Sequence, residues 1–210
     1  MIPCGINLEL FRPLDRAMAR ERLGLNGDSH LLFVGRIEPL KGVDRLLRAV
    51  GVFNGDRRIR LLVIGGDENS HQELERLRNL AGELHIEDGV SFLGMVKQAE
   101  LPFYYSAADV CVVPSYYESF GLVTLESLAC GTPVVATAVG SAASVIRQGK
   151  TGYIVPDNNP DLLANSIGKA FSLRENGDGL VSLMRSSLER YRWPVIVRAV
   201  VRECRSLLSA

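Results

Sequence analysis

The chain has 210 residues, of which 47% are hydrophobic, enough to bury one sizeable core. Lys plus Arg equals Asp plus Glu at 24 each, so no bulk field draws it toward nucleic acid or an acidic membrane. No apolar run reaches the length of a membrane-spanning helix, and the Met-Ile-Pro-Cys-Gly start lacks a charged segment leading into an apolar one, so neither a transmembrane segment nor a signal peptide is expected.

Residues 1–30 contain Pro3, Pro13 and several charges without a clear period, and read as a lead-in. Leu31–Val34 has strand length. Val43, Leu46, Leu47 and Val50 then fall at i, i+3, i+4 and i+7, one face of a helix. The alternation continues with a strand at Ile59–Ile64 and a helix carrying Leu74, Leu77, Ala81 and Leu84. A strand at Val90–Leu93, a weaker helix with Leu101, Tyr104 and Ala108, and a strand at Val110–Val113 follow. Pro133–Ala136 and Tyr153–Val155 are the last strand candidates, and beyond Pro160 only helical stripes remain. The strand runs do not alternate, as expected for strands covered on both faces of a parallel sheet. The predicted fold is α/β: a Rossmann-like, doubly wound, mostly parallel sheet of about six strands, with extra C-terminal helices.

No Gly-x-Gly-x-x-Gly fingerprint or P-loop follows any strand, and Gly65-Gly66-Asp67 is too short to count as either, which disfavours a dehydrogenase or P-loop enzyme. Cys4, Cys111, Cys130 and Cys204 are widely spread. No disulfide is expected, and a reducing cytoplasm is the expected compartment. Cys111 and Cys130 read as small buried hydrophobes. His30, His71 and His85 have no metal-ligand spacing and read as surface or edge residues, so no metal site is expected.

The most informative stretch is Pro114–Glu126, a loop and helix start between two apolar runs. Gly121 permits close backbone approach to a ligand, and the amides of a helix start favour an anion. Glu118 in the loop and Glu126 in the helix stand eight positions apart. Carboxylates repel phosphate and suit hydroxyl groups, so a ligand with central phosphates and polyol rings at both ends fits: a nucleotide sugar. Arg36 and Lys41 follow the first strand, at the sheet edge where open α/β sheets bind ligands, and are candidates for the diphosphate. The competing reading pairs them with Glu38 and Asp44 on a solvated surface. Glu118 has a competing role as a helix cap, and Glu126 as a helix-surface carboxylate. Tyr116 and Tyr117 read as rim residues, Met95 as a gap filler, and Lys97, Lys150 and the C-terminal arginines as solvated helix faces.

Val34–Gly42, the Glu-Ser-Phe-Gly loop with Glu126, Ala129–Ala136, Gly149–Pro156 and Pro3–Pro13 together resemble family 4 retaining glycosyltransferases of the GT-B fold. The resemblance spans nearly the whole chain. It implies that Gly35, Arg36 and Lys41 meet the donor diphosphate and that Glu118, with Arg36 and Lys41, serves catalysis at the transferred sugar. It further implies that the backbone at Phe120, Gly121, Leu122 and Val123 meets sugar and phosphates, that Glu126 holds the ribose, and that Gly94, Met95 and Val96 lie near the base. It implies retained anomeric configuration, no cofactor and no metal, with UDP-glucose the default donor. Residues 1–210 match only the donor-binding domain, so a partner N-terminal acceptor domain is expected in the parent, with peripheral membrane contact allowed and nucleic acid not expected. The exposed stripe of the last helix, Val195–Leu208, is expected to face that missing half. Ser141-Ala142-Ala143-Ser144 departs from the glycine, proline and glutamate usual after Val139-Gly140, leaving no acidic group near 144. An epimerase of similar fold and a non-catalytic nucleotide-sugar-binding module are the alternatives.

Overall fold

Six parallel strands form a single sheet in the order β3-β2-β1-β4-β5-β6. They are β1 (Ser29–Val34), β2 (Ile59–Ile64), β3 (Val90–Gly94), β4 (Val110–Val113), β5 (Val134–Thr137) and β6 (Gly152–Val155). The computed structural model describes residues 2–53, 58–174 and 178–208. Every neighbouring pair is parallel, β1 lying against β2 from Ser29↔Ile59 to Val34↔Ile64 and against β4 at Leu31↔Val110. The predicted Rossmann-like class is the observed one.

Successive strand residues point to opposite faces, which splits the interior into two cores. Leu31, Phe33, Leu61, Val63, Val110, Val112 and Val135 pack with α2 (Val43–Gly51), α3 (His71–Glu83) and α7 (Pro160–Arg174). Leu32, Leu62, Cys111, Val113, Val134 and Ala136 pack with α4 (Leu101–Ala107), α5 (Leu122–Ala129), α6 (Ala142–Val145) and α8 (Asp178–Ser186). Covered strands therefore read as continuous apolar runs, as β1, β4 and β5 do. The expectation of two covered faces fails for β3. It is an edge strand, Ser91 and Leu93 are exposed, and only alternate residues meet the core.

The first thirty residues are more than a lead-in. Ile6, Leu8 and Phe11 are buried in the second core. Arg16–Leu23 forms α1, capped by the Asp15 carboxylate, which accepts from the Met18 amide at 2.8 Å, and closed by Gly24 at φ 65°. This helix buries only Ala19, so no apolar stripe announces it. Charge holds it instead: Asp109, buried at the start of β4, accepts from Arg16, from Arg20 (2.7 Å) and from the His30 amide (2.8 Å).

Two further expectations are overturned. His30 is buried rather than at the surface, and its Nδ1 has no hydrogen-bond partner among the described residues. The C-terminal arginines are not all solvated. Arg185 donates to the carbonyls of Ala129 (2.9 Å), Phe11 and Leu8, and Arg174 to those of Gly131 and Ser106. Burial lowers the Arg174 pKa to about 10, with Arg16 adding repulsion. On α9 (Trp193–Leu208) the stripe of Val197, Val200 and Val201 is exposed, as expected. No helix among the described residues is long and apolar enough to cross a membrane.

Gly42, at φ 66°, allows the chain after β1 to run against the chain after β4: a Cβ there would stand 2.1 Å from the Pro114 carbonyl oxygen. Gly42→Ala is expected to cost about 2–4 kcal/mol in urea unfolding, from left-handed strain plus overpacking; a cost below about 0.5 kcal/mol would contradict this contact. Burial, then Arg20, lowers the His30 pKa below its usual 6.5. The unfolded chain therefore takes up that proton first, so the contribution of neutral His30 is full above pH 6.5 and is lost as pH falls below it. His30→Leu should show a smaller drop in unfolding free energy between pH 7.5 and 5.5 than the unmutated chain.

Candidate functional site

The sheet order reverses between β1 and β4: β1 leads through α2 to β2 on one side, and β4 leads through α5 to β5 on the other. The connections after these two strands run to opposite sides of the sheet, and such a reversal is the place where open α/β sheets bind ligands. The loop 35–42 follows β1 and the loop 114–121 follows β4. They are stitched together by the Tyr116 amide, which donates to the Leu40 carbonyl at 2.9 Å, and by the Gly42–Pro114 contact.

That stitching sets Lys41 against Glu118. The ammonium donates to Glu118 Oε1 at 2.7 Å, and the Ser115 hydroxyl donates to the same oxygen at 2.9 Å. Both charged side chains are largely buried. Glu118 therefore does not cap the following helix. Its N-cap is Gly121, at φ 84°, with no side-chain acceptor, so the first amides of α5 are uncapped by any side chain. Gly140 supports the loop from behind, where a Cβ would meet Glu118 Cβ at 2.8 Å, and the Ser141 amide donates to the Phe120 carbonyl at 2.8 Å. Phe120 itself is anchored edge-on to Tyr191.

Glu126 lies on the second turn of α5 and is only 8% exposed. Its Oε2 accepts from the Tyr105 hydroxyl at 2.8 Å. Burial raises its pKa, and the Tyr105 hydrogen bond opposes that rise. This removes the helix-surface alternative. Glu118 and Glu126 occupy different settings, one against a lysine in the loop and the other buried in α5 against Tyr105.

Arg36 behaves differently from Lys41. It is 78% exposed and pairs with Glu38 at 2.9 Å, as the surface-pair reading expects. Asp44 pairs with Arg45 rather than Lys41. The surface reading thus holds for Arg36 and fails for Lys41. Tyr116 and Tyr117 are exposed rim residues, Tyr116 accepting from Arg45 at 2.8 Å.

A cavity of about 480 Å³ opens above the carboxyl ends of β1 and β2 and beside the chain leaving β3. Gly35, Arg36, Met95 and Val96 line it. Met95 is 77% exposed and so is no gap filler. Gly94, at φ 69°, turns the chain there and accepts from the Gly65 amide at 2.9 Å. Lys41, Glu118, Phe120, Gly121, Leu122, Val123 and Glu126 are not among the residues that line this cavity.

The same cavity is lined by residues that motif matching passed over: Gly65, Gly66, Asp67 and Ser70. The signal was the glycine pair at a strand's carboxyl end, dismissed because it fits no phosphate fingerprint. Its reason is steric, since a Cβ on Gly65 (φ 137°) would lie 1.8 Å from the Gly35 carbonyl oxygen. Hydrogen bonds from the Ser70 hydroxyl and the Asn69 amide lower the Asp67 pKa and tie this turn.

Residues 15–181 match the family described as "Glycosyl transferases group 1". The chain belongs to this family. A "D-inositol 3-phosphate glycosyltransferase" of Acidothermus cellulolyticus is 40% identical over 220 residues, covering 100% of this chain and 48% of that protein. The chain thus spans about half the length of the curated relatives it matches. A solved sucrose-phosphate synthase from Thermosynechococcus elongatus superposes with a TM-score of 0.89 at 37% identity, over 99% of this chain and 52% of that one. An Anabaena protein in complex with UDP shares the fold, with a TM-score of 0.85 at 23% identity, over 96% of this chain and 56% of that one.

The Lys41–Glu118 contact is measurable. A double-mutant cycle with Lys41→Ala and Glu118→Ala in urea is expected to give a coupling of about 1 kcal/mol, above that of an exposed pair. Additive losses would show that the two side chains do not meet in solution.

Proposed function

We propose that this chain is the donor-binding half of a family 4, retaining GT-B glycosyltransferase. The parent enzyme moves a sugar from a nucleoside diphosphate sugar, UDP-glucose by default, to an acceptor hydroxyl. The observation that carries the reading is the convergence of Lys41, Glu118 and the uncapped start of α5 at the point where the sheet order reverses. A cation beside unsatisfied amides suits a diphosphate, and a carboxylate in the same loop suits sugar hydroxyls. The family's membership and the UDP held by the Anabaena protein of the same fold support this reading.

In this scheme the diphosphate competes with Glu118 for Lys41, which frees the carboxylate for the transferred sugar. Negative charge grows on the diphosphate as the glycosidic bond breaks. Lys41, Arg36 and the amides from Phe120 to Val123 meet that charge without a metal, and fixed donors stabilise it more in the transition state than in the ground state. Arg36 reaches the site only by leaving Glu38, a change its exposure permits. Glu126 holds the ribose, and the cavity lined by Gly35, Met95 and Val96, next to Gly94, takes the base. An N-terminal acceptor domain completes the cleft in a reducing, cytoplasmic parent. The chain alone then binds donor and transfers poorly. For the parent, a phosphorylated cyclitol is the first acceptor to try, from the name of the relatives.

A thermal-shift and calorimetric panel of UDP, GDP and ADP with their glucose conjugates tests this directly. A ligand at about a hundred times its dissociation constant adds roughly 2.7 kcal/mol. Glu126→Ala should weaken free nucleotide and donor alike. Glu118→Ala should weaken mainly the sugar-bearing donor, and equal losses for both ligands would contradict its role. Lys41→Ala or Arg36→Ala should lower affinity for any diphosphate, with less salt dependence than in the unmutated chain. Epimerised donor, or no transfer by the full-length parent, would point to one of the alternatives.

A further inference from the structure

Tyr105 lies on α4 and has no exposed surface. Its ring packs edge-on against Phe11 among Leu125, Leu128 and Cys111. Packing alone would be served by phenylalanine, because a buried hydroxyl costs free energy unless it is satisfied. The partner of this hydroxyl is Glu126 Oε2, 21 residues further along the chain on α5. The Tyr105 backbone is held as well, its carbonyl accepting from the buried Thr132 hydroxyl.

The two oxygens of Glu126 differ. Oε2 is occupied by Tyr105, whereas Oε1 has no hydrogen-bond partner among the described residues and is not one of the unpartnered atoms sealed from solvent. One oxygen is thus held from inside and the other is left to accept from outside. A free glutamate loses rotamer freedom when it is fixed. Here the fixing is done by the fold before any ligand arrives.

We propose that Tyr105 is a positioning residue for the ribose end of the donor: its hydroxyl holds the Glu126 carboxylate so that the free oxygen accepts from the vicinal diol. The inference rests on the reading of Glu126 as the ribose ligand given above. Tyr105 touches no ligand itself. It sets the direction of the carboxylate.

The test compares UDP with 2′-deoxyUDP and 3′-deoxyUDP by calorimetry on the 210-residue chain. The unmutated chain should prefer UDP by about tenfold or more, the worth of a hydrogen bond to a charged group. Tyr105→Phe should shrink that preference at least about threefold, toward the near-equality expected of Glu126→Ala. The folded fraction reduces both apparent affinities alike and cancels in the ratio, so lost stability alone leaves the preference intact. A full preference retained in Tyr105→Phe overturns the inference and leaves the ribose reading standing. No preference in the unmutated chain overturns both. If Tyr105→Phe does not fold, the unmutated chain labelled at tyrosine Cζ gives a second reading. The Tyr105 signal should move with UDP and much less with the deoxynucleotides, and equal responses to all three overturn the inference.

Discussion

The close approach of two backbone segments governs this site. The chain leaving β1 can touch the chain leaving β4 because Gly42 has no side chain to strike the Pro114 carbonyl, and the Tyr116–Leu40 hydrogen bond closes the contact. Lys41 precedes that glycine, and Glu118 stands four residues beyond Pro114. That backbone geometry brings the two side chains together at 2.7 Å. Desolvation of two largely buried charges offsets much of what the pair gains in attraction. The pair's significance lies in keeping a cation and an acceptor side by side at the reversal of the sheet order.

The parallel sheet makes that placement rigid. Each interior strand contributes alternate residues to two separate cores, and helices close both faces. Loops at the carboxyl ends of β1, β2 and β4 are thereby mounted on strands whose side chains are fixed by close packing in two cores at once. The C-terminal helices are fastened by charge as well as by packing. Arg174 and Arg185 reach back to carbonyls at the ends of α4 and α5 and in the first eleven residues. Such hydrogen bonds satisfy carbonyls that a helix end leaves open.

Carboxylates at Glu118 and Glu126 look alike in a sequence and differ in the fold. One sits in a loop with two hydrogen-bond donors on one oxygen, and the other is sunk beside a phenol. A loop carboxylate can change partners quickly. A buried one tied to a rigid ring presents a fixed acceptor.

The sequence alone determined the class of fold, because buried parallel strands must be apolar throughout and amphipathic helices must repeat every three or four residues. The interior strands β1, β2, β4 and β5 were legible for that reason and the edge strands β3 and β6 from short apolar runs alone, as were the loops after β1 and β4 as places for chemistry. Helix α1 was not, since Arg16, Arg20 and Asp109 hold it and ion pairs leave no period in the chain. Nor was the depth of His30, Arg174, Arg185 or Glu126, which depends on what distant segments lay over them. The role of Gly65 escaped motif matching because its neighbour, Gly35, is 30 positions away. Local spacing dictates which elements form; only their packing decides which charges are paired, which are buried, and which side of a carboxylate faces out.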